Sequence, residues 1–161
     1  MDDSGDRGYS RAPELDDLLR VCESLNEHGA SYVLIGGFAV ILHGFVRGTK
    51  DIDFLIDASD DNVGRVKEAL SVLADNAVAL VRDDDIRRYT VVRVADEIVI
   101  DLLEQACGID FASAQSEIEV FTVQGVEIPV AGKELLIRMK DTVRPSDHAD
   151  VAYLRLSLQH E

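Results

Sequence analysis

Two aspartates flank one isoleucine in the segment DIDFLID, residues 51–57, and they are the first candidates for chemistry in this chain. Residues i and i+2 of a β-strand point the same way, with α-carbons about 6.5–7 Å apart, so Asp51 and Asp53 share one face. A third aspartate, Asp101, interrupts the apolar run EIVIDLL in a second strand-like segment. Neighbouring strands lie about 4.8 Å apart, so the three carboxylates can converge if these two strands are adjacent.

Carboxylates that converge repel one another, and at least one of them takes up a proton unless a cation joins them. A divalent ion removes this conflict, and ligation by oxygen alone favours Mg²⁺ or Mn²⁺ over zinc. Two other motifs do not fit. An EF-hand would need an oxygen ligand and a glycine where Leu55 and Ile56 stand, and GFVRGTKD lacks the Gly-Lys-Ser/Thr of a P-loop. We therefore predict a metal site at Asp51, Asp53 and Asp101.

Gly36 and Gly37 stand between the strand-like segment SYVLI and a helix-like segment that ends at a further glycine. The first turn of a helix presents free backbone N–H groups and a partial positive charge, and glycine lets a phosphate approach closely. Arg47, Thr49 and Lys50 add hydrogen-bond donors and positive charge just before the aspartates. We predict that these five residues bind the phosphates of a nucleotide.

Hydrophobic periodicity predicts an α/β (α+β) fold, a mixed central sheet with helices at both ends. An amphipathic helix is expected within residues 13–29, two hairpins at RRYTVVRV/EIVIDLL and IEVFTV/VEIPV, and a helix capped by Ser59. Two closing helices, GKELLIRMKDTV and DHADVAYLRLSL, are separated at Pro145. We expect a single domain over residues 13–161 and a flexible N-terminal tail at residues 1–12, which lacks the apolar stretch of a signal peptide.

The composition excludes several function classes. The 161 residues carry 31 acidic and 16 basic side chains, a formal charge of −15, which disfavours general nucleic-acid binding. Glycines and a histidine interrupt the longest apolar region, residues 33–46, so it is too short to span a bilayer. Two unclustered cysteines, Cys22 and Cys107, favour a reducing compartment, so we expect a cytoplasmic protein with no membrane segment.

The order of an apolar residue, Gly36-Gly37, a gap over residues 38–50 and then Asp-Ile-Asp-Phe resembles the polymerase-β-type nucleotidyltransferase superfamily. Two segments, GGFAVILHGFVRGTKDID and LLIRMKDTVRPSDHADVAYL, are similar to its small bacterial branch, which includes abortive-infection and toxin–antitoxin nucleotidyltransferases. The second segment matches that branch at Lys140, Arg144, Asp147 and Asp150, and Ser146 stands where the branch usually has a lysine.

The resemblance implies a nucleotidyltransferase-like fold and the transfer of a nucleoside monophosphate from a nucleoside triphosphate to a hydroxyl group. Asp51 and Asp53 would hold two Mg²⁺ or Mn²⁺ ions, and Asp101 would hold the catalytic ion and help to remove the acceptor's proton. Lys140 and Arg144 would contact the nucleotide. Catalysis would then depend on Asp51, Asp53 and Asp101 together.

Two other function classes stay open. The short chain leaves little room for an acceptor pocket, which is consistent with a non-catalytic or weakly catalytic toxin–antitoxin component that acts by binding a protein. A glycosyltransferase can also use an Asp-x-Asp metal motif, but such domains are usually larger and lack the upstream Gly-Gly. The acidic surface favours a cationic small molecule or a basic protein as the acceptor or partner.

Overall fold

The computed structural model describes residues 10–161. The strands are β1 Tyr32–Ile35, β2 Asp51–Ile56, β3 Val92–Ala95, β4 Val99–Leu103, β5 Gln105–Ala106, β6 Ile109–Asp110, β7 Ile118–Val123 and β8 Val126–Ala131. The helices are α1 Leu15–Glu27, α2 Gly36–Leu42, α3 Asp60–Leu70, α4 Asp85–Arg88, α5 Phe111–Ala114, α6 Lys133–Met139 and α7 Pro145–Gln159, with 3₁₀ turns at Ala77–Leu80 and Gln115–Glu117.

Six of the strands form one mixed sheet in the order β3-β4-β2-β1-β8-β7, and β5 pairs with β6 in a separate ribbon. The two predicted hairpins are present as the antiparallel pairs β3–β4 and β7–β8. Strand β2 runs parallel to β4 and antiparallel to β1, and β1 runs parallel to β8. The helices flank this sheet, so the predicted mixed α/β fold is confirmed.

Helix α1 packs against α3 and β8 through the apolar face that the periodicity predicts. Leu18, Cys22 and Leu25 on this face are buried, whereas Leu15, the first residue of the helix, is 37% exposed. Gly29 ends the segment in the left-handed region with φ +68°. Ser59 accepts a hydrogen bond from the amide of Asn62, as expected of an N-cap residue.

The N-terminal tail was expected to extend through residue 12, but its described part makes defined contacts. Ser10 Oγ donates to the carbonyl of Asp96 at 2.6 Å, and the amide of Arg11 donates to the carbonyl of Glu97 at 3.1 Å. Both acceptors lie in the turn of the β3–β4 hairpin, so Ser10 and Arg11 are hydrogen-bonded to this hairpin. The rest of the expected tail, residues 1–9, lies outside the described residues.

The two closing helices differ from the predicted ones at their ends. Helix α6 stops at Met139, and α7 begins at Pro145 rather than after it. Proline suits the first turn of a helix because the N–H that it lacks has no partner inside the helix. Residues 140–144 therefore form a connecting segment between α6 and α7. Within residues 10–161, no helix has the length and hydropathy needed to cross a membrane.

Candidate active site

The three aspartates meet because β2 and β4 are neighbouring parallel strands. Asp53 is paired directly with Asp101 across this ladder, and Asp51 stands two residues earlier on the same face of β2. Asp51, Asp53 and Asp101 each offer an oxygen, and these oxygens all lie within 4.8 Å of one another. The structure thus brings together the acidic residues that the sequence places two strands apart.

The carboxylates perturb one another strongly. Burial, together with the charges of Asp51 and Asp101, raises the pKa of Asp53 to about 8. Burial and then the charge of Asp101 also raise the pKa of Asp51. The Oδ1 atom of Asp53 is buried and has no hydrogen-bond partner among residues 10–161. A buried carboxylate oxygen without a partner is costly, and a cation bound there would satisfy it.

The donor set fits a hard divalent cation. Within residues 10–161 the cluster offers carboxylate oxygens from three residues, with no thiolate or imidazole beside them. Mg²⁺ and Mn²⁺ prefer such ligands, and two like-charged carboxylates at close range become compatible when a divalent ion joins them. Asp53, with its unpartnered oxygen, and Asp51, whose side chain is 27% exposed, are the residues best placed to accept an ion.

Sequence reasoning missed Arg93, which contacts two of the three aspartates. In the β3–β4 ladder Arg93 is paired with Asp101. Its Nε and Nη2 atoms donate to Asp101 Oδ1 and Oδ2, each at 2.9 Å, and Nη2 also donates to Asp51 Oδ2 at 3.2 Å. The predicted hairpin did not reveal this contact, because a turn at ADE would pair Val94 with Ile98, whereas the observed register pairs Ala95 with Val99 and so Arg93 with Asp101.

The two glycines lie at the turn from β1 into α2, against the predicted site residues. Gly36 has φ +72°, and a Cβ atom there would overlap the carboxylate of Asp53. A Cβ atom on Gly37 would overlap the guanidinium of Arg47 and lie 2.9 Å from Thr49 Oγ1. Both positions therefore need glycine, because these side chains approach the backbone more closely than any larger residue allows.

The segment that precedes β2 contributes cations from the same side. Arg47 Nε lies 3.4 Å from Asp150 Oδ1, and its Nη1 atom is buried without a hydrogen-bond partner among the described residues. Thr49 Oγ1 donates to the carbonyl of Asp51 at 3.1 Å and so fixes the start of the strand. Lys50 is exposed. Arg47 is thus the cation of this segment with a buried donor that lacks a partner among residues 10–161.

The segment between α6 and α7 supplies two further cations, each anchored by a buried aspartate of α7. Lys140 is 7% exposed, and its Nζ atom lies 2.8 Å from Asp150 Oδ2. Arg144 donates to Asp147 through Nε at 2.9 Å and Nη2 at 3.1 Å. Burial raises the pKa of Asp147, but hydrogen bonds from Arg144 and Thr142 and the charge of Lys140 outweigh it and lower the pKa to about 2.

Most of these groups border one open cavity of about 860 Å³. Every predicted site residue lines it except Asp101, whose two carboxylate oxygens are both occupied by Arg93. Sequence reasoning did not assign Thr90, Gln105 or Cys107, which also line the cavity. No spacing pattern marks these residues, because they come from the loop before β3 and from the β5–β6 ribbon.

Comparisons with known proteins identify a family and a shared fold. A family model described as "Nucleotidyl transferase AbiEii toxin, Type IV TA system" matches residues 17–143. The lincosamide antibiotic adenylyltransferase LnuA, solved with lincomycin bound, has a similar fold: TM-score 0.59, 15% identity, covering 90% of this chain and 98% of LnuA. TM1012 from Thermotoga maritima, assigned as a nucleotidyltransferase, also aligns: TM-score 0.54, 15% identity, covering 91% of this chain and 93% of TM1012.

The similarity to these two solved structures shows a shared fold. Among curated protein sequences, none matches this chain. The family match is more informative, because it spans most of the chain and includes both glycines, the three aspartates, Arg93 and Lys140. By that match, this chain belongs to the AbiEii nucleotidyltransferase toxin family.

Proposed function

We propose that the protein transfers a nucleoside monophosphate from a nucleoside triphosphate to a hydroxyl group of an acceptor, with pyrophosphate as the second product. The observation that carries the proposal is the convergence of Asp51, Asp53 and Asp101, within 4.8 Å of one another, beside a cavity lined by cations. Membership of a nucleotidyltransferase family supports the reaction class.

The cavity offers what an anionic substrate requires in a protein of charge −15. Arg47, Lys50, Lys140 and Arg144 all line it, and they offset the charge of the aspartates in the same wall. The partnerless Nη1 donor of Arg47 lies against Gly37, where a phosphate oxygen would satisfy it. These groups would hold the triphosphate and orient its α-phosphorus toward the acceptor.

The carboxylates divide the chemistry between them. Asp51 and Asp53 would hold Mg²⁺ beside the triphosphate, and the bound ions would stabilise the attacking and leaving oxygens of an in-line displacement. The acceptor oxygen forms a bond to the α-phosphorus while the bond to the bridging oxygen breaks, and pyrophosphate leaves. Asp101 would take up the hydroxyl proton, a role that typically contributes about 10²–10⁴-fold in rate.

The net charge of the chain bears on the acceptor. An excess of acidic side chains repels a polyphosphate backbone and attracts cations. We therefore propose a cationic small molecule or a basic protein as the acceptor, and the family description supports a protein partner in a toxin–antitoxin pair. A cytoplasmic location would give the enzyme access to nucleoside triphosphates.

The test is label transfer from α-³²P-labelled ATP, GTP, CTP and UTP in the presence of Mg²⁺ and cell lysate. The wild-type protein should label an acceptor with at least one nucleotide, and Asp53→Ala and Asp101→Ala should abolish the labelling. Asp61→Ala is the matched control, because Asp61 is exposed on α3 and lies outside the cavity. Equal labelling by Asp53→Ala and wild type would rule out the proposed site.

A further inference from the structure

Arg93 occupies the oxygens that a divalent ion would need. Its guanidinium uses both oxygens of Asp101, each at 2.9 Å, and reaches Asp51 Oδ2 at 3.2 Å. A guanidinium fork of this kind matches a carboxylate in geometry and charge. No hydrogen bond links Arg93 to Asp53, whose Oδ1 stays without a partner in the described part of the chain. Two of the three acidic residues are thus held by a cation that belongs to the protein.

We propose that Arg93 is a displaceable counter-cation of the metal site. In the metal-free protein it holds Asp51 and Asp101 together against their mutual repulsion, and it releases their oxygens when a divalent ion binds. The inference rests on the proposed function, because it assigns the three carboxylates to metal binding. It adds to that function a residue that competes with the metal.

The position of Arg93 allows such a release. Its side chain is 59% exposed, and it stands on β3, the strand at one edge of the six-stranded sheet. Among residues 10–161 its guanidinium donates hydrogen bonds to these two aspartates alone. Rotation into solvent would therefore break no other hydrogen bond and leave no void in the core. Asp53 meanwhile offers an incoming ion a free oxygen before any exchange takes place.

The alternative is that Arg93 stays in place and orients Asp101 for the ion. The two roles predict opposite effects of removing the guanidinium. If Arg93 competes, its loss leaves the carboxylates more negative and their oxygens free, so a divalent ion binds more tightly. If Arg93 only orients Asp101, its loss lets the carboxylate move and the ion binds less tightly.

The experiment measures Mn²⁺ binding alone, without nucleotide, by electron paramagnetic resonance or calorimetry at fixed pH. Arg93→Gln should bind Mn²⁺ about tenfold more tightly than wild type, since no charge-assisted hydrogen bonds must then be broken. Arg93→Lys keeps the charge but loses the fork, so its affinity should fall between the two. Arg88→Gln is the matched control and should bind as wild type does, because Arg88 is exposed and pairs with Asp84, the residue before α4.

Thermal unfolding supplies a second readout that does not depend on turnover. Without metal, Arg93→Gln should unfold at a lower temperature than wild type, and saturating Mn²⁺ should raise its midpoint by more than it raises that of wild type. Unchanged or weaker Mn²⁺ binding by a folded Arg93→Gln would overturn the proposal for Arg93 and leave the metal site intact. Absence of binding by both proteins would overturn the metal site and the counter-cation with it.

Discussion

Replacing Asp53 by asparagine should stabilise the metal-free protein while it removes the proposed activity. Burial and the charges of Asp51 and Asp101 raise the pKa of Asp53 from 3.8 to about 8. The folded protein therefore holds the proton of Asp53 more tightly than the unfolded chain does. Stability falls as pH rises from about 4, where the unfolded carboxyl ionises, to about 8, where the folded one does. Asparagine keeps the shape and removes this penalty.

The magnitude follows from the pKa. At pH 7 the unfolded carboxyl lies about three pH units above its pKa, and each unit corresponds to about 1.36 kcal/mol. The upper limit of the stabilisation by Asp53→Asn is thus about 4 kcal/mol. Relaxation of Arg93 and water penetration reduce this value, so we expect a gain of about 2 kcal/mol. In a domain of this size that corresponds to a rise in Tm of about 4–8 °C.

The assay is thermal unfolding in a chelating buffer at pH 7.5 and pH 5.5. The difference in Tm between Asp53→Asn and wild type should be about half as large at pH 5.5, because ionisation of Asp53 then destabilises the wild-type protein less. Adding Mg²⁺ should raise the Tm of wild type and have little effect on the variant. Asp61→Asn, on the exposed face of α3, should match wild type under all conditions.

An Asp53→Asn protein that is less stable than wild type at pH 7.5 would refute this reasoning. So would an advantage of equal size at both pH values, since it would then come from a source other than ionisation. Either result would mean that the folded protein already solvates or pairs the Asp53 carboxylate.

Two further predictions concern the walls of the cavity. Gly36→Ala and Gly29→Ala both place a side chain at positive φ, but only the methyl group at position 36 would overlap Asp53. In urea unfolding, Gly36→Ala should therefore lower the free energy of unfolding by about 1–3 kcal/mol more than Gly29→Ala does. Equal losses would contradict the close approach of Asp53 to Gly36. Iodoacetamide should label one thiol in the native protein, Cys107, because burial raises the pKa of Cys22 to about 12. A nucleotide with Mg²⁺ should slow this labelling, and labelling at an unchanged rate would argue against nucleotide binding in the cavity.

The sequence was sufficient to predict the elements that carry the acidic residues. Alternation in DIDFLID and EIVIDLL predicts two strands, and an aspartate inside an otherwise buried run indicates a special site. Their adjacency was a supposition, because the parallel pairing of β2 with β4 depends on a crossover that no local pattern encodes. Once that pairing forms, Asp53 and Asp101 stand directly opposite each other.

Tertiary contacts explain what the sequence could not predict. Lys140 and Arg144 were assigned through family resemblance, since nothing in their local sequence distinguishes them from a solvated helix face. The structure places them in the segment after α6, where Asp147 and Asp150 of the next helix hold them. The role of Arg93 depends on register: on an edge strand with alternating burial, it looks like an ordinary exposed residue.

Buried aspartates explain how an acidic protein presents cations to an anionic substrate. Asp150, 1% exposed, lies against both Arg47 and Lys140, and Asp147, 3% exposed, holds Arg144. Asp147 and Asp150 also line the cavity, but each lies directly against the cations that it fixes, so the negative charge of each is offset at the cavity wall. The hydrogen bonds and opposite charges of Arg144 and Asp147 also raise the pKa of Arg144 and lower that of Asp147. The net charge of −15 therefore does not describe the cavity, because its wall carries as many basic as acidic residues: Arg47, Lys50, Lys140 and Arg144 beside Asp51, Asp53, Asp147 and Asp150. The position of each group then decides which charge a substrate meets.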